Sequence, residues 1–219
     1  MTEISVAEVI KGVRKNLDEI GLNESVMYNT EDTDNDSLDK TIKMTIAQAI
    51  NEVHLAAPSY MLEGVSFRSS GLDYSEFDDG VLTFSFHEPF LRLVAMKAMD
   101  SRIVITDLIP EASAQGREQL NRYVRGTYQR PVLVMAAGRS AYPEFRYYSL
   151  KDGSFADNPE GAIDRFEYIP KQTFSEGATE YLISPDLRMA VLDYLTGMVL
   201  AIFGEGDKAK YFFDKAKLS

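Results

Sequence analysis

The stretch Glu88–Ala137, EPFLRLVAMKAMDSRIVITDLIPEASAQGREQLNRYVRGTYQRPVLVMAA, decides the fold. It reads as strand, strand, polar helical segment, strand. Pro89 opens the first apolar run and Pro131 the last. Leu91–Met96 and Ile103–Ile109 carry the branched and apolar residues that suit a pleated sheet. Ala112–Tyr123 is too polar for a core and is expected to be a short surface helix or a long excursion. Val132–Met135 returns the chain to the sheet.

The same period of two extends outward on both sides. Val65–Arg68 and Val81–Phe86 read as strands separated by a turn-rich Gly71–Gly80 segment, and Phe145–Tyr148 and Phe166–Ile169 supply later ones. Strands that cluster rather than alternate with helices predict an antiparallel arrangement over a doubly wound sheet.

Helical patterns occupy the two ends. Ser5 and Glu8 form a capping box, and Val6, Ile10, Val13, Leu17 and Ile20 then recur on one stripe, with Gly21 as the stop. A second helix is expected from about Ser37, with Leu38, Ile42, Ile46, Ala49, Ile50 and Val53 on its apolar face, ending before Pro58. Ser184-Pro185-Asp186 marks another start, and Leu187–Phe203 is apolar on most sides. A last helix, Lys208–Leu218, is expected to follow with Asp207 as its N-cap. Each apolar stripe needs a partner. The expectation is therefore an α+β fold: residues 1–62 and 185–219 in a helical bundle, and residues 63–184 in an inserted, mainly antiparallel β-rich domain.

At 219 residues the chain is long enough to bury a sizeable core. Without cysteine it has neither disulfides nor thiolate chemistry. Met1–Ile4 offers no basic n-region or apolar h-region, so no signal peptide is expected. Met189–Phe203 carries Asp193 and is shorter than the roughly 20 residues a membrane span needs, so no membrane is expected among the partners. The net charge of −11 argues against a general nucleic-acid binder, which must neutralise phosphates.

Charge is uneven along the chain. Glu3–Lys40 holds ten acids against four bases, whereas Asp100–Arg146 holds seven arginines, five acids and no lysine. From Glu205 onward four lysines face three acids. Such segments could be complementary between subunits.

Signs of catalysis are few. Asp32, Asp34 and Asp36 imitate a calcium loop, but Ser37 stands where glycine is required and Lys43 where the bidentate glutamate belongs. Acids ahead of a helix have a simpler role at its positive end. His54 and His87 lack any metal-ligand spacing and read as structural, and no phosphate-binding glycine motif follows a strand. Asp78 and Asp79 sit in a turn where solvation accounts for them. No enzyme, metal or cofactor is expected.

Arginine supplies the better lead. Arg117, Arg122, Arg125, Arg130, Arg139 and Arg146 surround Tyr123, Tyr128, Tyr142, Tyr147 and Tyr148. Arginine and tyrosine are enriched in protein interfaces, where the guanidinium fork pairs with carboxylates and stacks on rings. In an acidic chain this favours protein contacts over single-stranded nucleic acid. Arg117, Arg122, Arg125 and Arg130 are the interface candidates, joined by Tyr211, Phe212 and Phe213 of the last helix.

The order of Pro89-Phe90-Leu91-Arg92-Leu93, Arg125-Gly126 before Pro131, and the C-terminal helix pair resembles the head-to-tail connector (adaptor or ring) proteins of short-tailed crAss-like phages of gut Bacteroides. The resemblance implies terminal helices around a β-rich insertion. It also implies a homo-oligomeric ring, commonly of twelve copies, beneath the portal protein and beside other ring or tail proteins. Such a ring would belong to the virion, be assembled in the host cytoplasm, and surround DNA that passes without sequence-specific binding. Two other classes compete: a non-catalytic β module that grips a peptide or glycan, and an unrecognised hydrolase.

Overall fold

The computed structural model describes residues 1–19, 33–66, 72–99, 101–136, 143–148 and 159–217. Ile20, Gly21, Glu31, Asp32, Phe67, Arg68, Gly71, Arg139, Tyr142 and Leu218 lie outside them. In chain order the elements are β1 (Thr2–Ser5), α1 (Val6–Glu19), α2 (Thr33–Ala56), β2 (Val65–Ser66), β3 (Leu72–Asp78), β4 (Val81–Phe86), β5 (Phe90–Ala98), β6 (Leu108–Pro110), α3 (Ala114–Glu118), β7 (Val132–Ala136), β8 (Glu144–Tyr148), β9 (Ile163–Pro170), β10 (Glu180–Ile183), α4 (Arg188–Ile202) and α5 (Gly206–Ala216). They divide into two compact units, Met1–Glu63 with Lys171–Ser219, and Gly64–Pro170.

The expected fold class is corrected. With about 41% helix and 31% strand in five helices and three sheets among the described residues, the chain is mixed α/β, and the terminal helical bundle is not what its ends form. The ends bring a sheet of their own: β1 pairs antiparallel with β10, Thr2 opposite Ile183 and Ser5 opposite Glu180. The physical reason is short and non-local. Four residues carry too little period to read, and their partner lies at the other end of the chain. The segment from Lys171 to Ser184 thus belongs with the termini, and not with the β-rich unit.

In the terminal unit α4 packs against α1, α2 and α5. That explains an apolar surface on most of its sides, since Val191, Leu195, Val199 and Leu200 are all buried. Val6, Val9, Val13 and Leu17 form the buried stripe of α1; Ile10 is only half-buried. The Glu8 amide donates to Ser5 Oγ at 3.2 Å, while Glu8 itself pairs with Arg188 at 3.3 Å. Helix α2 begins four residues before Ser37, so Asp34 and Asp36 stand in a helix and not in a calcium loop. Ser184 is not a capping side chain. Its Oγ accepts from the Glu63 amide, and its own amide donates to His54 Nε2 at 3.1 Å. The other ring nitrogen, Nδ1, lies 2.8 Å from the Ile50 carbonyl, which fixes His54 as the Nδ1–H tautomer and as a structural residue. The N-cap of α5 is Glu205, not Asp207.

One polar cluster interrupts this core. Asp193 on α4 is fully buried and accepts from Asn16 Nδ2 at 3.2 Å and from Lys215 Nζ at 3.0 Å. Asn16 also donates to Thr196 Oγ1 at 3.1 Å. Removing the cation leaves a carboxylate in a desolvated site, which typically costs about 3 kcal/mol. Lys215→Met is expected to lose that much in chemical denaturation, and adding Asp193→Asn to recover most of it. A loss within about 0.5 kcal/mol, the range of ordinary surface changes, would contradict this.

The central unit has two sheets, ordered β2-β9-β5 and β3-β4-β8-β7-β6. Period two shows in β4, whose Leu82, Phe84 and Phe86 point inward. Both sheets contribute to one core, with Leu133, Phe145 and Tyr147 from the larger and Leu93, Met96, Phe166 and Tyr168 from the smaller. Phe145 lies at its centre, with ring centroids 5.3 Å from Phe84, 5.5 Å from Phe86, 5.0 Å from Phe90 and 5.5 Å from Phe166. Burial first, then the hydrogen bond to Glu88 and its charge, raise the Tyr168 phenol well above its ordinary value.

Two expectations fail here, the first being that Gly71–Gly80 is a turn-rich break: β3 occupies Leu72–Asp78 of it and pairs with β4. Ile103–Ile109 is a strand only at its end: Leu108 and Ile109 belong to β6, whereas Ile103 and Val104 are exposed and Ile105 makes only an isolated bridge to Met96. Strand β6 pairs parallel to β7, while the other strand pairs among the described residues are antiparallel. A parallel pair requires a crossover, and the Glu111–Pro131 excursion supplies it.

Candidate interface

The excursion is built to hold a fixed shape. Ser113 caps α3 by accepting from the Gly116 amide at 3.0 Å. Turns continue the path: the Leu120 amide donates to Arg117 O, and the Val124 and Arg125 amides to Asn121 O. Gln119 is buried beneath them. Its Nε2 donates to Gln115 O at 3.2 Å and its Oε1 accepts from the Gly126 amide at 2.7 Å. Arg146 of β8 ties the base, pairing with Glu111 at 2.5 Å and Glu144 at 2.8 Å. Burial works against that charge, but the two carboxylates outweigh it and raise the Arg146 pKa above its ordinary value. Burial raises the Tyr148 phenol too, against the lowering influence of Arg146.

The tip of the excursion is anchored from the β3–β4 hairpin. Asp79 and Gly80, at φ 46° and 74°, form a turn in the left-handed region that Asp-Gly pairs favour. The Asp79 carboxylate receives Arg122 and Arg125, each at 3.1 Å, and its carbonyl accepts from Arg125 Nη2. Asp79 is therefore more than a solvated turn residue. Sequence reasoning missed this role; the only local signal was an Asp-Gly turn between two alternating strands.

The predicted arginines thus part company. Arg125 is half-buried and Arg122 exposed, and both reach within their own chain. The side chains of Arg117 and Arg130 are exposed with no partner among the described residues. Between them Leu120, Tyr123 and Val124 project into water, Tyr123 with 97% of its surface accessible. Exposing three apolar side chains on an ordered loop is costly at roughly 25 cal/mol per Å², and such a patch flanked by arginine has interface composition.

The last helix divides in the same way. Phe212 is 2% exposed, and Lys215 Nζ lies 5.5 Å from its ring centroid. Its expected place at an interface is corrected, because it is core. Phe213 is half-buried, its ring centroid 5.1 Å from that of Tyr194. The close approach needs Gly197, since a Cβ there would lie 2.8 Å from the Phe213 ring. Tyr211 is exposed, as are Ile202 and Phe203 at the preceding turn.

A groove of about 350 Å³ opens beside Phe213 in the terminal unit. Val53, Ala56, Leu187 and Tyr194 form its apolar walls. Glu52 is the acid in the lining, and burial together with its charge raises the Tyr194 phenol. The volume is at the small end for ligand pockets and suits one or two side chains. Leu55, Tyr60 and Met189, adjacent in sequence to residues of the wall or close to them, are exposed.

Among the described residues, no group of three or more histidine, aspartate or glutamate side chains is placed to hold a metal ion. No helix there is long and apolar enough to cross a membrane. No protein-family model and no curated protein matches the chain.

Proposed function

We propose that the chain is a non-catalytic structural subunit of a phage virion, forming one ring of the head-to-tail connector between portal and tail. The observation that carries this reading is the excursion between β6 and β7. Internal hydrogen bonds and two arginine–Asp79 pairs hold it rigid, yet it offers Leu120, Tyr123, Val124, Arg117 and Arg130 to solvent. A chain that orders an apolar and cationic projection at this cost uses it to bind protein. The sequence resemblance supplies the identity of that protein: further copies in a ring, then the portal and neighbouring ring or tail proteins.

The net charge of −11 suits the same role, because a negative lining repels a passing duplex and keeps it from sticking. The test is the mass of the purified chain, alone and mixed with its portal. Closed rings, alone or on the portal, are the expected result. A strict monomer that ignores the portal and binds a peptide or glycan would replace this reading with a binding module.

A further inference from the structure

We infer that the tip of the excursion in one copy inserts into the α2–α4–α5 groove of the next copy, an inference that rests on the ring reading. The two features complement one another. The tip is a projection with three exposed apolar side chains, Tyr123 foremost; the groove is an apolar recess of about 350 Å³, sized for one or two of them. Each is open to solvent within its own unit.

Charge agrees with shape. Arg117 is exposed and lacks a partner among the described residues, and Arg122 is exposed beyond its pair with Asp79. The groove presents Glu52, and Asp186 is exposed one residue before Leu187 of the wall. The cation at the rim, Lys217, is already paired with Asp214 at 3.0 Å and does not repel the incoming arginines unopposed. An aromatic anchor in a pocket with arginine beside it is the composition of an interface hot spot. Because tip and groove are different surfaces, the contact is head-to-tail, the type that closes into rings when the rotation allows.

The experiment uses two full-length variants that leave the core untouched. Ala56→Trp fills the groove from an exposed position on α2, and Tyr123→Ala with Val124→Ser blunts the tip. Each alone is expected to stay monomeric where the wild type associates. Mixed, they are expected to form a dimer of one of each, because one intact tip meets one intact groove. Variants that assemble like the wild type overturn the contact and leave the ring reading standing. Two blocked variants that remain monomeric when mixed also overturn the pairing, since each surface then meets something else. A wild type that stays monomeric alone and with its portal overturns the contact and the ring together.

Discussion

Phe145→Ala is expected to remove about 5 kcal/mol from the central unit. Truncating a buried phenylalanine to alanine costs about 3 to 5 kcal/mol, its ring contacts included, and the upper end applies where many are lost. Phe145 has four ring neighbours from both sheets, at 5.0 to 5.5 Å. Whole domains are stable by only about 5 to 15 kcal/mol, so Gly64–Pro170 should lose its cooperative transition. The terminal unit has its own core in α1, α2, α4 and α5, so most helical circular dichroism should survive while the central unit's share of the near-ultraviolet signal is lost. A variant that melts within a few degrees of the wild type would show that the two sheets do not share one core.

Phe212→Ala is expected to cost about 4 kcal/mol, again through burial. At 2% exposure the ring belongs to the packing of α5, and the Lys215 ammonium near its face adds a cation–π contact. An assembly defect in that variant would report unfolding and not a lost contact. Tyr211→Ala is the informative neighbour: it is exposed, and its stability change should stay within about 0.5 kcal/mol. If Phe212→Ala unfolds at the same denaturant concentration as the wild type, α5 is not docked as described.

These two residues also show where sequence stops being readable. Tyr211, Phe212 and Phe213 look alike as a run of aromatics, and only the helix's orientation on α4 separates exposed, buried and half-buried. Period two revealed β4, β5, β7, β8 and β9, because each has an inward face rich in Phe, Tyr, Leu or Met. It could not reveal β1 and β10, four residues each and joined from opposite ends of the chain. It misled at the start of Ile103–Ile109, where branched residues suit a strand but Ile103 and Val104 are exposed and only Leu108 and Ile109 join β6.

The interface followed the same division. Arginine and tyrosine composition pointed to the excursion, since composition is local. Its anchor on Asp79 was hidden, because Arg125 is 46 positions away in sequence. The groove was hidden as well: its walls come from α2, α4 and α5, and each contributes residues that read as ordinary helix face. The proposed pairing of tip with groove needs two folded copies, so no single stretch of sequence announces it.

The proposed role of this chain is that of a structural ring of a phage connector. It is tested most directly by locating the chain in assembled particles with an epitope tag on an exposed position and electron microscopy. The account expects label at the single vertex between portal and tail, in several symmetry-related copies around the DNA channel. Particles that assemble, eject DNA and carry no label, with the tagged chain remaining free in the host lysate, would contradict it.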